Sequence, residues 1–165
     1  MLNKGDVLMK LKGFVTEDFV NYKKASLFLI CPYCSFKCDK EAGTKICQNS
    51  DLVKFSTIDV DTAKLVHASA TNPITHAVCF GGLEPLDSFD EVVDFIDQFR
   101  SESDEDIVIY TGYTEDEVTE KIEILKHYPN IIVKFGRFRP GEEPHVDPIL
   151  QVPLASSNQY AKKIS

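Results

Sequence analysis

The chain has 165 residues, 43% of them hydrophobic and 27% charged, which fits a single globular domain, 1–165, with an ordinary core. Its formal charge of −8 argues against a broad phosphate-binding surface, so nucleic acid is not an expected partner. The longest apolar run, Ala25 to Cys31, falls far short of the roughly 18 residues of a membrane span, and the opening stretch MLNKGDVLMKLKGFV has lysines but no unbroken apolar segment. The expectation is a cytoplasmic protein with no membrane partner.

Ser26 to Ile30 (SLFLI) predicts a buried strand that runs into the first cysteine, which leaves the cysteine-rich stretch as a loop at its C-terminal end. Asp59 or Asp61 can cap a helix reaching to about Ser69, and His76 to Phe80 (HAVCF) predicts a second buried strand stopped by Gly81 and Gly82. Ser88 with Glu91 forms an S-x-x-E capping box, after which Phe89, Val92, Val93, Ile96 and Phe99 recur at helical spacing. Ile107 to Tyr110 predicts a third strand, and Thr114 with Glu117 a second capping box before Val118, Ile122 and Leu125. Ile131 to Phe135 (IIVKF) predicts a fourth strand. From Gly136 onward the pattern stops, and this stretch holds four of the eight prolines, so it reads as an extended tail with one short strand at Ile149 to Val152. The acidic stretches Glu102 to Asp106 and Glu115 to Glu123 read as solvated surface.

Strands alternating with helices imply an α/β fold with a mainly parallel sheet built from right-handed crossovers. A full eightfold barrel needs about 250 residues, so the expectation is an open partial (β/α) barrel, or a short doubly wound sheet, with an extended C-terminal tail.

Five cysteines, Cys31, Cys34, Cys38, Cys47 and Cys79, make an odd count with no export signal, which disfavours a disulfide framework. Cys79 sits inside an apolar strand and reads as a small core residue. The other four are spaced C-x2-C-x3-C-x8-C beyond the carboxyl end of a strand, where open α/β sheets build their sites. Three thiolates from one loop can hold three irons of a cubane cluster and leave the fourth iron open. Two alternatives stand beside this. A closed zinc site would use all four loop cysteines, and Cys31-Pro32-Tyr33-Cys34 has the form of a glutaredoxin-like thiol-redox motif.

These residues resemble the activating proteins of anaerobic (class III) ribonucleotide reductase, within the radical-SAM superfamily, over nearly the whole chain. The family's C-x3-C-x2-C signature and its following asparagine are matched by Cys34, Cys38, Cys47 and Asn49, with eight residues between the last two cysteines where the family has two. That departure marks a divergent branch and leaves Cys31, Cys34 and Cys38 as an alternative ligand set. Phe80-Gly81-Gly82-Leu83-Glu84-Pro85 resembles the G-G-E-P element that receives the methionine amino group, and Tyr110-Thr111-Gly112-Tyr113 resembles the family's Y-T-G-Y segment. Gly136-Arg137-Phe138 and Ser156-Ser157-Asn158-Gln159 resemble the late G-x-F and S-S-N-Q stretches. The resemblance implies a 4Fe–4S cluster on Cys34, Cys38 and Cys47. It implies S-adenosylmethionine against Gly81, Gly82, Glu84, Thr111 and Asn49, and reductive cleavage of that cofactor. The implied partners are the glycyl radical enzyme, anaerobic ribonucleotide reductase, and a low-potential electron donor such as flavodoxin or ferredoxin.

Overall fold

Four apolar runs form the centre of one six-stranded sheet in the computed structural model, which describes residues 6–165. The first five residues of the opening stretch discussed above lie outside the described residues. In chain order the strands are β1 (Leu8–Leu11), β2 (Gly13–Asp18), β3 (Ser26–Cys31), β4 (Ile58–Asp61), β5 (Ala77–Gly82), β6 (Asp106–Tyr110), β7 (Ile131–Phe135), β8 (His145–Val146), β9 (Pro153–Leu154) and β10 (Tyr160–Lys163). The helices are α1 (Lys37–Ala42), α2 (Thr62–Thr71), α3 (Phe89–Arg100) and α4 (Thr119–Leu125). Sheet order is β10-β7-β6-β5-β3-β2, with β3, β5, β6 and β7 parallel and both edge strands antiparallel. The fold is thus mixed α/β with a mostly parallel central sheet, and its two edges do not meet. Among the described residues no helix is long and apolar enough to cross a membrane.

Alternation along the strands assigns each face a different cover. Leu27, Leu29, Val78, Phe80, Ile107, Ile109, Val133 and Phe135 pack under α2, α3 and α4. Phe95 of α3 meets Phe80 of β5 edge-on at 5.3 Å and stacks on Phe99 of its own helix at 5.9 Å. On the opposite face Ala77, Cys79, Val108 and Ile132 pack against Tyr22 and the tail residues Leu150 and Leu154. Cys79 is fully buried there, its thiol 3.3 Å from the Ser26 hydroxyl, as expected of a core cysteine.

Several sequence expectations need correction. Gly81 and Gly82 do not stop β5; they are its last two residues. Asp61, not Asp59, caps α2, accepting from the Lys64 N–H at 3.2 Å, while Asp59 lies in β4, paired with β1. The Ser88–Glu91 capping box does not form. A 3₁₀ turn, Pro85–Ser88, runs straight into α3, the Ser88 hydroxyl is buried without a partner, and Glu91 accepts the Lys10 N–H instead. The Thr114–Glu117 box does form, on the 3₁₀ turn Glu115–Val118 ahead of α4.

No strand occupies Ile149 to Val152. Asp147, 1% exposed, accepts the N–H groups of Ile149 and Leu150 at 2.9 and 2.8 Å through Oδ1 and that of Ala161 at 2.9 Å through Oδ2, which bends the segment into a turn between β8 and β9. Asp147→Ala leaves three donors without their acceptor, and the expected cost is at least about 3 kcal/mol in urea unfolding, with faster amide exchange at Ile149, Leu150 and Ala161 than elsewhere in the sheet.

Candidate functional site

The carboxyl ends of β3, β5, β6 and β7 all point to one side, and a cavity of about 360 Å³ opens there. Cys34, Cys38 and Cys47 line it, together with Asn49, Gly82, Glu84, Gly112, Tyr113, Lys134 and Arg137. Two hydrogen bonds extend the β3–β5 pairing into the loops: Leu83 N–H to the Cys31 carbonyl at 3.2 Å and Glu84 N–H to the Tyr33 carbonyl at 2.7 Å. They bring the glycine segment alongside the cysteine loop.

Beyond Cys34 the chain turns at Phe36, whose φ of 53° is left-handed, and enters α1. Gly43 (φ 68°) ends the helix in the conformation that glycine adopts without strain. The Asp39 carboxylate then accepts the N–H groups of Ile46 and Cys47, each at 2.8 Å. The long interval between Cys38 and Cys47 is therefore a closed helical loop that returns Cys47 beside Cys38. Burial, and next the neighbouring Cys47, raise the pKa of Cys38. Burial pushes the Cys34 thiol up to about 12, although the Phe36 N–H, 3.2 Å from Sγ, opposes the shift. A thiol so reluctant to ionise is a poor nucleophile for disulfide exchange, whereas a bound metal deprotonates its ligand outright.

Cys31 is not with them. It is fully buried in the core beneath the helices and does not line the cavity. The helix after Cys34 starts only at Lys37, so the dipole that activates a glutaredoxin-like thiol does not reach Cys31, whose pKa burial drives upward. Among the described residues no three His, Cys, Asp or Glu side chains converge as a single ion requires. Three half-buried thiols, Cys34, Cys38 and Cys47, line one cavity.

The remaining sequence candidates divide. Gly82 lines the cavity at φ +82°, and a Cβ there would lie 2.5 Å from Ile30 Cγ2 and 3.1 Å from the Ile30 Cα. Gly81 does not line the cavity; its bare Cα accommodates the Phe28 ring, which a Cβ would meet at 2.6 Å. Asn49 Nδ2 donates to the Gly82 carbonyl at 2.9 Å, tying the cysteine loop to the strand end. Glu84, 6% exposed, accepts from Gly112 N–H at 2.8 Å and Leu86 N–H at 3.0 Å; burial raises its pKa and these bonds oppose the rise. Thr111 is buried outside the cavity lining, and its hydroxyl accepts the Tyr113 N–H at 3.0 Å. Tyr113 lies in the rim, donating to Asp87 at 2.6 Å while Asp87 also accepts the Ser35 N–H.

Sequence reasoning passed over the cations. Lys37, Lys134 and Arg137 line the cavity against one carboxylate, Glu84, in a chain of net charge −8. Arg137 donates to Glu117 at 2.5 Å and lies 3.4 Å from Glu41 of α1, so it joins the cysteine helix to the sheet. The Ser156–Gln159 stretch supports the same turn: Asn158 Nδ2 donates to the Arg137 carbonyl at 2.8 Å and Gln159 Nε2 to the Gly136 carbonyl at 3.3 Å. A lysine inside IIVKF was the available signal, because charged residues in buried strands are rare.

Fold and cavity together define an α/β protein with a three-thiol pocket at the carboxyl edge of its parallel strands. The 4Fe-4S single cluster domain family matches residues 23–160, and the chain belongs to that family. An iron–sulfur function follows from that membership and agrees with the thiol arrangement. Neither the curated proteins nor the solved structures compared with the chain gave a match.

Arg137 and its hydrogen bond hold the Glu117 carboxyl down at about 2, from an ordinary 4.5. A depressed carboxylate contributes stability that is complete above 4.5 and fades as pH falls toward 2. Glu117→Gln, which keeps the cap on Thr114, is therefore expected to lower the urea midpoint of the cluster-free protein at neutral pH and to converge on the wild type across that acidic window.

Proposed function

We propose that the chain is a cytoplasmic, single-domain radical-SAM activating enzyme that generates a glycyl radical on anaerobic ribonucleotide reductase. The observation that carries this reading is the opening of the Cys34, Cys38 and Cys47 thiols into one cavity walled by the Gly82 strand end and Glu84. When bound and reduced, a 4Fe–4S cluster on these thiolates supplies the electron that breaks the S–C5′ bond of S-adenosylmethionine, giving methionine and a 5′-deoxyadenosyl radical.

The chain's own residues position and enclose. Glu84 accepts the ligand's ammonium group at the strand end, where Gly82 lets β5 lie against β3 in a conformation that a Cβ, 2.5 Å from Ile30, would not allow. Asn49 fixes that strand end to the cysteine loop through the Gly82 carbonyl. Thr111 shapes the β6 end by holding the Tyr113 N–H. The unclosed sheet is read as a partial barrel, whose open side admits a glycine-bearing segment of the partner protein. A flavodoxin or ferredoxin serves as electron donor in this reading.

The cysteines provide the test. Cys34→Ala, Cys38→Ala and Cys47→Ala are each expected to lose iron, sulfide and all 5′-deoxyadenosine formation under strong reductant, while Cys31→Ala and Cys79→Ala retain iron. Iron loss in Cys31→Ala with retention in Cys47→Ala overturns the ligand set. For the partner, a doublet glycyl-radical EPR signal is expected only when the reductase is added to reduced protein and cofactor; turnover of a small molecule without the reductase overturns that part.

A further inference from the structure

Beyond Cys47 the chain leaves the cavity through a run of hydrogen-bonded turns. Ser50 N–H donates to the Cys47 carbonyl at 3.4 Å, Leu52 N–H to the Asn49 carbonyl at 3.0 Å and Phe55 N–H to the Leu52 carbonyl at 3.2 Å. The segment they lead to is apolar yet open to water, with Val53 50%, Phe55 62% and Ile58 41% exposed. Lys12 Nζ donates to the Phe55 carbonyl at 2.5 Å and the Val53 carbonyl at 3.5 Å, and Leu11 pairs with Ile58, which gathers the three residues beside the β1–β4 ribbon.

Lysines border this surface. Lys45 and Lys54 share one carboxylate, Asp51, at 3.8 and 2.8 Å, and Lys12 has only carbonyl partners among the described residues. The adjacent Asp59 is already paired with Lys10 at 2.7 Å. The face therefore carries surplus positive charge in a chain of net charge −8. Exposed apolar side chains bordered by lysines complement an acidic protein surface, steered in by charge and held by a small apolar contact, as in transient electron-transfer encounters.

None of Lys12, Lys45, Val53, Lys54, Phe55 and Ile58 lines the cavity. A glycine-bearing segment or a small cofactor has to enter that cavity, whereas an electron has only to reach its sulfur edge. Cys47 lies on that edge, and the turns run from it to the exposed face.

Resting on the cluster placement given under the proposed function, we propose that the 53–58 face with Lys12, Lys45 and Lys54 is the docking surface of an acidic electron-donor protein. The donor is oxidised by one electron and the cluster reduced by one, with no bond made or broken on this chain, and the cavity is free to hold its ligand meanwhile.

The cluster-reconstituted full chain is titrated by calorimetry with an acidic flavodoxin and with an acidic ferredoxin, at low and high salt. Cluster reduction is followed by the loss of visible absorbance after mixing with the reduced donor or with dithionite. Lys45→Glu combined with Lys54→Glu is expected to weaken donor binding and slow donor-driven reduction by about tenfold or more at low salt, with the difference shrinking as salt rises. Phe55→Ser is expected to weaken binding at both salt concentrations. Iron content and reduction by dithionite are expected to match wild type in both variants, and saturating S-adenosylmethionine to leave donor affinity unchanged. Unchanged donor binding in either folded variant overturns the inference, as does failure of wild type to bind either donor, or displacement of the donor by S-adenosylmethionine. Weakened binding of anaerobic ribonucleotide reductase with donor affinity intact also overturns it and assigns the face to the glycine-bearing partner. Wild type that binds a donor through this face but not S-adenosylmethionine supports this inference and removes the radical-SAM reading alone. Wild type that assembles no iron and sulfide removes the cluster reading, and this inference with it, before any donor is added.

Discussion

A carboxylate taken out of water organises the end of the sheet. Glu84 accepts from the backbone of its own turn at Leu86 and from Gly112 beyond the next parallel strand, so the loops after β5 and β6 are held against each other. Parallel strands have no hairpins to align their ends, and the loops above them need such cross-links to keep a common shape. The N–H of Glu84 also reaches the Tyr33 carbonyl, which brings in the loop after β3. Lys134, at the end of β7, donates to the Thr111 carbonyl of the β6 loop, so four strand ends share one polar network bordering the cavity.

The two faces of the sheet are covered by different means, and this places the cavity. Helices α2, α3 and α4 bury one face through an apolar stripe. The other face is filled by the tail, bent around Asp147, and by Tyr22, whose hydroxyl donates to Asp106 at 2.9 Å. With both faces occupied, space remains at the carboxyl ends, where the tail residues Pro153, Leu154 and Ala155 also supply one wall.

The parallel strands were legible because each is a nearly continuous apolar run, broken only by Lys134 in β7, the signature of burial on both faces. β1 and β2 were not, since LMKL and GFVTED are short and half-exposed and carry neither a clean alternation nor a long run. The Ser88 capping box misled because the helical stretch begins earlier, at the Glu84–Pro85 step, so a serine inside it has no free N–H to receive. Ile149 to Val152 is apolar enough for a strand, but Asp147 takes its N–H groups and Gln151 adopts φ 57°, a preference set by tertiary contacts. In the site, cysteines and glycines carry local patterns. Lys134 is marked only as a charge inside an apolar run, and what it and Arg137 face is set once distant strand ends are brought together.

The loop between Cys38 and Cys47 is closed across its base by one side chain, Asp39, rather than by the number of residues it contains. Chain length between two such fixed points is cheap, about 0.6 kcal/mol for each doubling. Spacing in the sequence is therefore a poor ruler for the distance between these sulfurs, and a fixed-interval pattern would pass over chains built in this way. Natural variation is then free to lengthen or shorten the protruding helix and reshape the protein's outer surface beside the pocket, while the separation of the two thiols stays the same.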